Sequence, residues 1–388
     1  MKKTLIALAA LAATGAFAQS SVSVYGVVDA SYNYASSGSL NAASMGSSQL
    51  GSSKLGFMGT EDLGGGLAAV FKLEGGLAND SGNGKASNTN NQSTGGVTVG
   101  GAGPTVANAA TTNVGLNGTQ GLVFQRYSFV GLKGGFGELH LGREYVSSFQ
   151  HGQGAVDPFG TNGPADSTQL AYQVGKNSGK TLGAAQNITN ISNMITYTSP
   201  SMGGASGGLQ LYMGENTQGS ATATDNGSGY SAFVDYTGGP LFVTLAQSVT
   251  KFVSTATDGD YLVRALSASY DFGMAKVAFT NTHEEAAYLG STPKNDSNLI
   301  GVTVPMGALT LKASYINAVR NSGAAGAKDE KGDLLGLGVD YALSKRTKVY
   351  ATYANVKNTD GASYFTGVTD KTVGGSSDNV AIGVFHSF

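Results

Sequence analysis

The dominant pattern in this chain is a short-range alternation of apolar and polar residues. In segments such as 308–315 (ALTLKASY) and 335–342 (LGLGVDYA), the large apolar side chains occupy every second position. This period of two is typical of a β-strand with one apolar face. About sixteen such segments can be counted. They predict strands at 20–34, 50–61, 67–78, 122–133, 138–146, 191–199, 208–215, 229–237, 241–251, 260–271, 274–283, 297–304, 308–319, 332–342, 346–357 and 378–388.

The connections between these segments alternate in length. Tight glycine-rich turns, such as 62–66 (DLGGG) and 134–137 (GGFG), alternate with long polar segments, notably 79–121 and 147–190. Short turns at one end and long loops at the other are typical of barrels in the bacterial outer membrane. No internal repeat or domain linker interrupts the pattern. We therefore predict an all-β fold with one domain over 19–388, a 16-stranded antiparallel transmembrane β-barrel.

The charged residues within the predicted strands indicate what fills the barrel. A lysine or arginine that faces lipid at mid-membrane costs about 2–4 kcal/mol, so strand charges should alternate with the large apolar residues. Lys72 and Glu74 do so, since they alternate with Phe71 and Leu73. The same phase is found for Lys276, Lys312, Asp340 and Lys348. The pattern therefore predicts a polar, water-filled lumen in which Lys72 and Glu74 are lumen charges.

Two arginines do not follow this rule. Arg143 and Arg264 are each in phase with the neighbouring leucines of their strands. Gly142, directly before Arg143, could allow a β-bulge that turns Arg143 inward. Nothing in the pattern explains Arg264.

The first 18 residues have the features of a secretory signal peptide. Lys2 and Lys3 precede an apolar stretch, and a small-x-small cleavage site (16–18, AFA) ends it before Gln19. The apolar stretch is too short to span a bilayer, which favours a signal peptide over an anchor. We predict that 1–18 is cleaved after export across the inner membrane. No later run reaches 18 apolar residues, so the sequence predicts no membrane-spanning helix.

Composition excludes several classes of function. The chain has no cysteine, which excludes disulfides and thiolate sites, and only 12% of its residues are charged. Its formal net charge of −2 gives no reason to expect nucleic-acid binding. The 59 glycines alone would suit a disordered chain, but the tyrosines and phenylalanines lie within the alternating segments, which favours a folded one.

Candidate catalytic residues are sparse. The four histidines, His140, His151, His283 and His386, are not part of any recognisable serine or aspartate motif. His283 and the two glutamates after it alternate across a predicted strand, so they would not converge on a metal ion. We therefore expect no enzyme activity, no metal site and no cofactor.

Several stretches resemble one family of outer-membrane proteins. They are VYGVVDASYNY (24–34), SKLGFMGTEDLGGGLAAVFKLE (53–74), QRYSFVGLKGGFGELHLGREY (125–145), DPFG (157–160), NMITYTSP (193–200) and the terminal VAIGVFHSF. Together they resemble the general-diffusion porins of β-proteobacteria, relatives of the Neisseria, Bordetella and Burkholderia porins, from about residue 20 to residue 388. The resemblance implies a homotrimer of barrels in the outer membrane. Each barrel passes ions and small hydrophilic solutes and is narrowed by an infolded third loop.

The resemblance also implies a set of pore residues. The third loop corresponds to 147–190, where Asp157 and Asp166 would present carboxylates at the constriction. The facing wall would carry Lys54, Arg126 and Arg143. Opposed charges across a narrow waist create a transverse field that orients dipolar solutes and sorts ions.

This chain departs from the family pattern at two positions. The stretch 190–193 (NISN) has no cation where the family often has an arginine, and Phe385 replaces an arginine of the last strand. Both departures remove positive charge near the pore, so the anion preference frequent in the family does not carry over directly. Phe388, the last residue, resembles the signal that the outer-membrane assembly machinery reads. Lipid, including lipopolysaccharide, would surround the barrel.

Two other functions remain open at the level of sequence. A substrate-specific outer-membrane channel would have the same barrel and a dense binding site in its lumen. An adhesin or structural barrel would act through its loops.

Overall fold

The computed structural model describes residues 21–85, 123–174, 189–214, 227–254, 257–287, 292–324, 326–368 and 374–388. The predicted signal peptide 1–18 and most of the long segment 79–121 lie outside these residues. The described residues form one closed antiparallel sheet of sixteen strand positions, which confirms the predicted barrel. No helix among them is long and apolar enough to cross a membrane.

The strands are numbered here in chain order. They are β1 (Ser21–Ser37), β2 (Leu40–Ser47 and Lys54–Gly64), β3 (Leu67–Ala78), β4 (Tyr127–Gly134), β5 (Gly137–Tyr145), β6 (Asn190–Thr198), β7 (Ala205–Tyr212), β8 (Gly229–Gly238), β9 (Leu241–Ser254), β10 (Thr257–Asp271), β11 (Lys276–Ala287), β12 (Lys294–Met306), β13 (Leu309–Asn321), β14 (Glu330–Ala342), β15 (Thr347–Thr359) and β16 (Ser376–Ser387). A two-residue bridge, Asn83–Gly84, extends the end of β3.

Strand β2 is interrupted. Its first segment, Leu40–Ser47, pairs with the second half of β1, and its second segment, Lys54–Gly64, pairs with the first half. The two segments therefore fill one strand position between β1 and β3. The first segment, with the sequence LNAASMGS, has no clear alternation, and the sequence pattern did not predict it.

The barrel closes between its first and last strands. β1 pairs with β16 in an unbroken antiparallel register from Val27 opposite Ser387 to Ser37 opposite Ser377. At the end of this seam, the backbone N–H of Gly26 donates to the carbonyl of Phe388, and the N–H of Phe388 donates back to Gly26. The terminal aromatic residue is thus part of the closure.

The distribution of side chains is the reverse of that in a water-soluble protein. Small polar residues such as Ser231, Thr244 and Ser267 are completely buried towards the lumen. Large apolar residues such as Val234 and Ile300 are 60% exposed or more on the outer face. This arrangement suits a wall with lipid on one side and a polar interior on the other.

The third loop folds into the lumen. It contains two single-turn helices, α1 (Ser147–Gln150) and α2 (Gln153–Val156), and a 3-10 turn (Ser167–Gln169). The Ser148 hydroxyl lies 2.7 Å from that of Ser248 on β9, and Ser267 of β10 donates to the Gly152 carbonyl at 2.9 Å. Because these wall residues point inward, the contacts confirm an infolded loop.

The far side of the loop rests on strand glycines. A Cβ at Gly301 of β12 would lie 2.4 Å from Pro158, and one at Gly336 of β14 would lie 2.7 Å from the Cβ of Ala165. Most side chains at these two positions would occupy the space that the loop now fills. Because the two glycines have no side chains, residues 158–165 of the loop can pack directly against the barrel wall.

Candidate functional site

A single carboxylate organises the charged wall of the lumen. Glu74 of β3 has a side chain that is only 1% exposed. Its Oε1 lies 2.5 Å from Nε of Arg126, and its Oε2 lies 3.4 Å from Nζ of Lys54 and 4.0 Å from Nζ of Lys72. The Tyr25 hydroxyl also donates to Oε2, at 2.8 Å. These five residues, the Glu74 cluster, contain three cations and one carboxylate.

Strand register brings the cluster together. Tyr25, Gly56 and Glu74 lie in one row across β1, β2 and β3. A Cβ at Gly56 would lie 2.3 Å from the Tyr25 ring, so the glycine leaves room for this ring to lie across β2 and reach Glu74. Arg126 lies at the bend before β4, where its backbone N–H donates to the Glu74 carbonyl at 3.1 Å.

Aromatic rings hold two of the cations against the wall. The Lys72 ammonium lies 3.6 Å from the centre of the Tyr127 ring, and the Arg126 guanidinium lies 5.3 Å from that of Tyr145. Such cation–π contacts are attractive without removing the positive charge. The cations are therefore fixed in place and still contribute to the field in the lumen.

An open cavity of about 480 Å³ separates the cluster from the third loop. Lys54 and Arg126 line it on the wall side and are the charged residues among its lining. The loop contributes Gln150, Gly154, Gly160, Thr161, Asn162 and Thr168. The cavity therefore has a positive wall on one side and neutral polar groups on the other.

Arg143 lies within a β-bulge and does not line this cavity. The register of β5 with β6 shifts between Gly142 and Glu144, and Gly142 has a φ of +146°, so the bulge expected at this glycine is present. The Arg143 side chain is buried and donates to the Gln125 carbonyl and to the Ser192 hydroxyl, both at 2.6 Å. These two hydrogen bonds link the segment before β4 to strand β6.

The two loop aspartates are also buried. Asp157 accepts hydrogen bonds from the backbone N–H of Phe159 and from both the N–H and the hydroxyl of Ser167. Burial raises the pKa of the Asp157 carboxyl to about 6, although the hydrogen bonds from Ser167 act in the opposite direction. Asp166 accepts from the N–H of Thr168 and caps the 3-10 turn. Neither carboxylate lines the cavity.

We expect Asp157→Ala to loosen the third loop. The substitution leaves the N–H groups of Phe159 and Ser167 without this acceptor, and a buried unsatisfied group costs about 1–3 kcal/mol. The folded variant should give noisier single-channel currents and faster protease cleavage within the loop than the unmodified protein. Ser167→Ala, which removes one donor and keeps the carboxylate, should have a smaller effect. Equal noise and equal cleavage in Asp157→Ala and the unmodified protein would contradict this role.

Sequence reasoning identified some members of the site and missed others. Strand parity alone placed Lys72 and Glu74 in the lumen, but it gave no sign that Glu74 contacts three cations. Tyr25 and Tyr127 were not singled out, since their contacts depend on the register between strands. Within the part of the chain that the structure describes, no cluster of three or more histidine, aspartate or glutamate side chains is arranged to hold a metal ion.

Comparison with known proteins agrees with this geometry. The family model described as Gram-negative porin matches residues 4–361. Outer membrane porin protein 32 of Delftia acidovorans is 32% identical over the full length of both chains, and major outer membrane protein P.IB of Neisseria meningitidis serogroup A is 26% identical over the same coverage.

Solved structures give the same result. The anion-selective porin from Comamonas acidovorans superposes with a TM-score of 0.77 at 28% identity, covering 95% of this chain and 100% of that one. OmpT of Vibrio cholerae, in a trimer form, matches with a TM-score of 0.61 at 16% identity and covers 95% of this chain and 99% of its own, which supports the fold alone. The resemblance to β-proteobacterial porins is confirmed by these matches. A sixteen-stranded barrel with an infolded loop, a family match over most of the sequence and a full-length relative at 32% identity show that the chain belongs to the Gram-negative porin family.

Proposed function

We propose that the chain is a passive general-diffusion channel of the outer membrane, with its constriction between the Glu74 cluster and the third loop. The porin family supports passage of ions and small hydrophilic solutes. The gradient of each solute drives its movement. The infolded loop limits solute size, and the charges of the lumen bias the choice of ion. No chemical reaction is part of this proposal.

The constriction has a moderate preference for anions. The observation that carries this proposal is that Lys54 and Arg126 are the charged residues among the lining of the cavity. Glu74 offsets part of their charge, and the carboxylates of Asp157 and Asp166 are buried within the loop. The similar porin from Comamonas acidovorans is named as anion-selective, which is consistent with the same sign here. Arg143 is buried and does not line the cavity, but its positive charge adds to that of the same wall.

Arg126→Gln tests the constriction directly. Loss of this cation lowers the formal charge of the Glu74 cluster by one, so the reversal potential in a salt gradient across a planar bilayer should shift towards cations. Arg143→Gln should give a smaller shift in the same direction, because that side chain lies behind the cavity. Lys328→Gln, in the exposed loop after β13, serves as a control for surface charge and should leave the potential unchanged. An unchanged potential in Arg126→Gln would contradict the proposed constriction.

The difference in strand length between two parts of the barrel wall supports a homotrimer. Strands β4 to β7 have 8 or 9 residues, whereas β9 to β16 have 12 to 15. A tilted transmembrane strand needs about 9–11 residues, so the short wall is a poor match to lipid. Its exposed outer residues Val130, Leu132 and Leu141 are apolar. We place this wall against neighbouring copies, and the same bilayer recordings should then show conductance steps in groups of three.

The two ends of the chain serve export and assembly. Residues 1–18 are removed during export, and 19–388 form the barrel. Phe388, which pairs with Gly26 at the seam, is the signal for the assembly machinery. A substrate-specific channel is not favoured, because the described lining of the cavity has only two charged side chains and no dense set of converging binding groups.

A further inference from the structure

Arg264 faces away from the lumen. Along β10, Tyr261, Val263 and Ala265 are buried, whereas Arg264 and Leu266 are exposed. An outward arginine costs about 2–4 kcal/mol at the middle of the bilayer and about 0–1 kcal/mol near its surface. An arginine at this position is therefore stable only if polar groups surround it or if an anion binds it.

The guanidinium group of Arg264 is held by neutral side chains. Its Nε donates to Oε1 of Gln247 at 2.9 Å, and Nε2 of Gln247 donates to the Tyr230 hydroxyl at 2.8 Å. Among the described residues, no carboxylate forms an ion pair with Arg264. The guanidinium Nη groups are therefore available for an anion, and the planar donor fork of arginine suits phosphate oxygens.

The nearby carboxylates on the outer face have other partners. His283, the neighbour of Arg264 in the same row, lies 2.6 Å from Oδ1 of Asp296. Glu285 pairs with Lys294 at 3.1 Å. Among the residues that the structure describes in this patch, Arg264 is consequently the cation that has no carboxylate partner.

A groove of about 330 Å³ begins at Arg264 on the outer face. The small side chain of Ala232, opposite Gln247, leaves the depression open at that point. Gln247 and Arg264 border it towards the long loops. Towards the short turns it is bordered by Val234, Leu245 and Leu266, with Asn281 at the edge beside Leu266. The groove thus has a polar end and an apolar end.

A row of polar side chains crosses the outer face at the groove. Above the apolar row of Val234, Leu245 and Leu266, the next row contains Gln247, Arg264 and His283. The row after that contains Tyr230, Val249, Leu262 and Glu285. A tyrosine beside apolar residues and a charge is typical of the level where an outer-membrane barrel meets the lipid headgroups. Since the long loops of outer-membrane barrels are extracellular, this level faces the outer leaflet.

We propose that the groove binds a phosphorylated glycolipid of the outer leaflet, with a phosphate on Arg264 and an acyl chain against Val234, Leu245 and Leu266. The inference rests on the proposed outer-membrane function for the orientation of the barrel. A phosphate complements the unpaired guanidinium, and an acyl chain complements the apolar end. The proposed interface between copies lies on the short wall, β4 to β7, and its last strand, β7, pairs with β8 at the edge of the groove. A second copy is therefore the competing occupant, and the test below distinguishes it from the lipid.

Native mass spectrometry of the folded protein tests this site. The probe is purified bisphosphorylated lipid A, compared with the same lipid after removal of its phosphates. Arg264→Gln should weaken binding of the phosphorylated lipid about tenfold, a loss that corresponds to about 1.4 kcal/mol. Arg346→Gln, an exposed arginine at a short turn, should bind as the unmodified protein does. Ala232→Phe, which fills the groove without changing any charge, should also weaken binding.

Four outcomes would overturn the proposal. They are equal affinity of Arg264→Gln and the unmodified protein, insensitivity to removal of the phosphates, equally tight binding of phosphatidylglycerol, and a loss of trimers without a change in lipid affinity. The third outcome would assign the groove to phospholipid, and the fourth would assign it to a contact between copies. Single-channel conductance of Arg264→Gln should match the unmodified protein, so a silent bilayer would count against the proposed function and not against this site.

Discussion

Glu74→Gln should increase the anion preference of the pore more than any other single substitution at the constriction. The change removes the one carboxylate of the Glu74 cluster and leaves Lys54, Lys72 and Arg126 unbalanced. A unit charge about 4 Å from an ion is worth about 1 kcal/mol in water, which is roughly a factor of five in relative occupancy. The Arg126 side chain also loses its 2.5 Å partner and is free to turn towards the cavity.

The measurement is the reversal potential in a salt gradient, at low ionic strength so that screening does not mask the effect. Glu138→Gln is the matched control. It makes the same change in charge on β5, where Glu138 pairs with Lys133 near a short turn and away from the cavity. Glu74→Gln should shift the potential towards anions, and Glu138→Gln should shift it little. Equal potentials in Glu74→Gln and the unmodified protein would remove Glu74 from the selectivity mechanism.

The barrel was predictable because its physical constraints are local. Side chains in a strand alternate, and lipid penalises charges on one face only, so the phase of Lys72 and Glu74 relative to Phe71 and Leu73 was sufficient to assign them to the lumen. The first segment of β2, Leu40–Ser47, escaped prediction because its small polar residues have no marked apolar face. Its position depends on pairing with β1 and not on its own pattern.

The site was less predictable because it depends on register and on local hydrogen bonds. A bulge at Gly142 could be anticipated, but not that Arg143 would be held by Gln125 and Ser192. Asp157 was expected to face the aperture. That expectation came from the family resemblance. In the structure its carboxylate accepts backbone N–H groups of its own loop, a role that aspartate often has in turns and that the resemblance does not distinguish from a lumen charge.

The third loop determines how much of the lumen stays open, and several contacts hold it there. On its far side, the loop packs against Gly301 and Gly336 of the wall. Thr366, in the loop between β15 and β16, also donates to the Pro164 carbonyl. On the near side, the His151 ring lies 2.8 Å from an oxygen of Asp235. Since these contacts join the loop to both sides of the barrel, we expect the loop to hold a fixed position across the lumen.

Replacing residues 157–166 with a short glycine-serine linker should therefore widen the pore and raise single-channel conductance about twofold, because the narrowest section dominates resistance. Larger sugars should also permeate in liposome-swelling assays. Shortening the loop at 323–327, between β13 and β14, is the matched control and should leave conductance unchanged. The variant must retain the heat-modifiable gel mobility of a folded barrel. A folded variant with unchanged conductance and an unchanged exclusion limit would show that the third loop does not form the constriction.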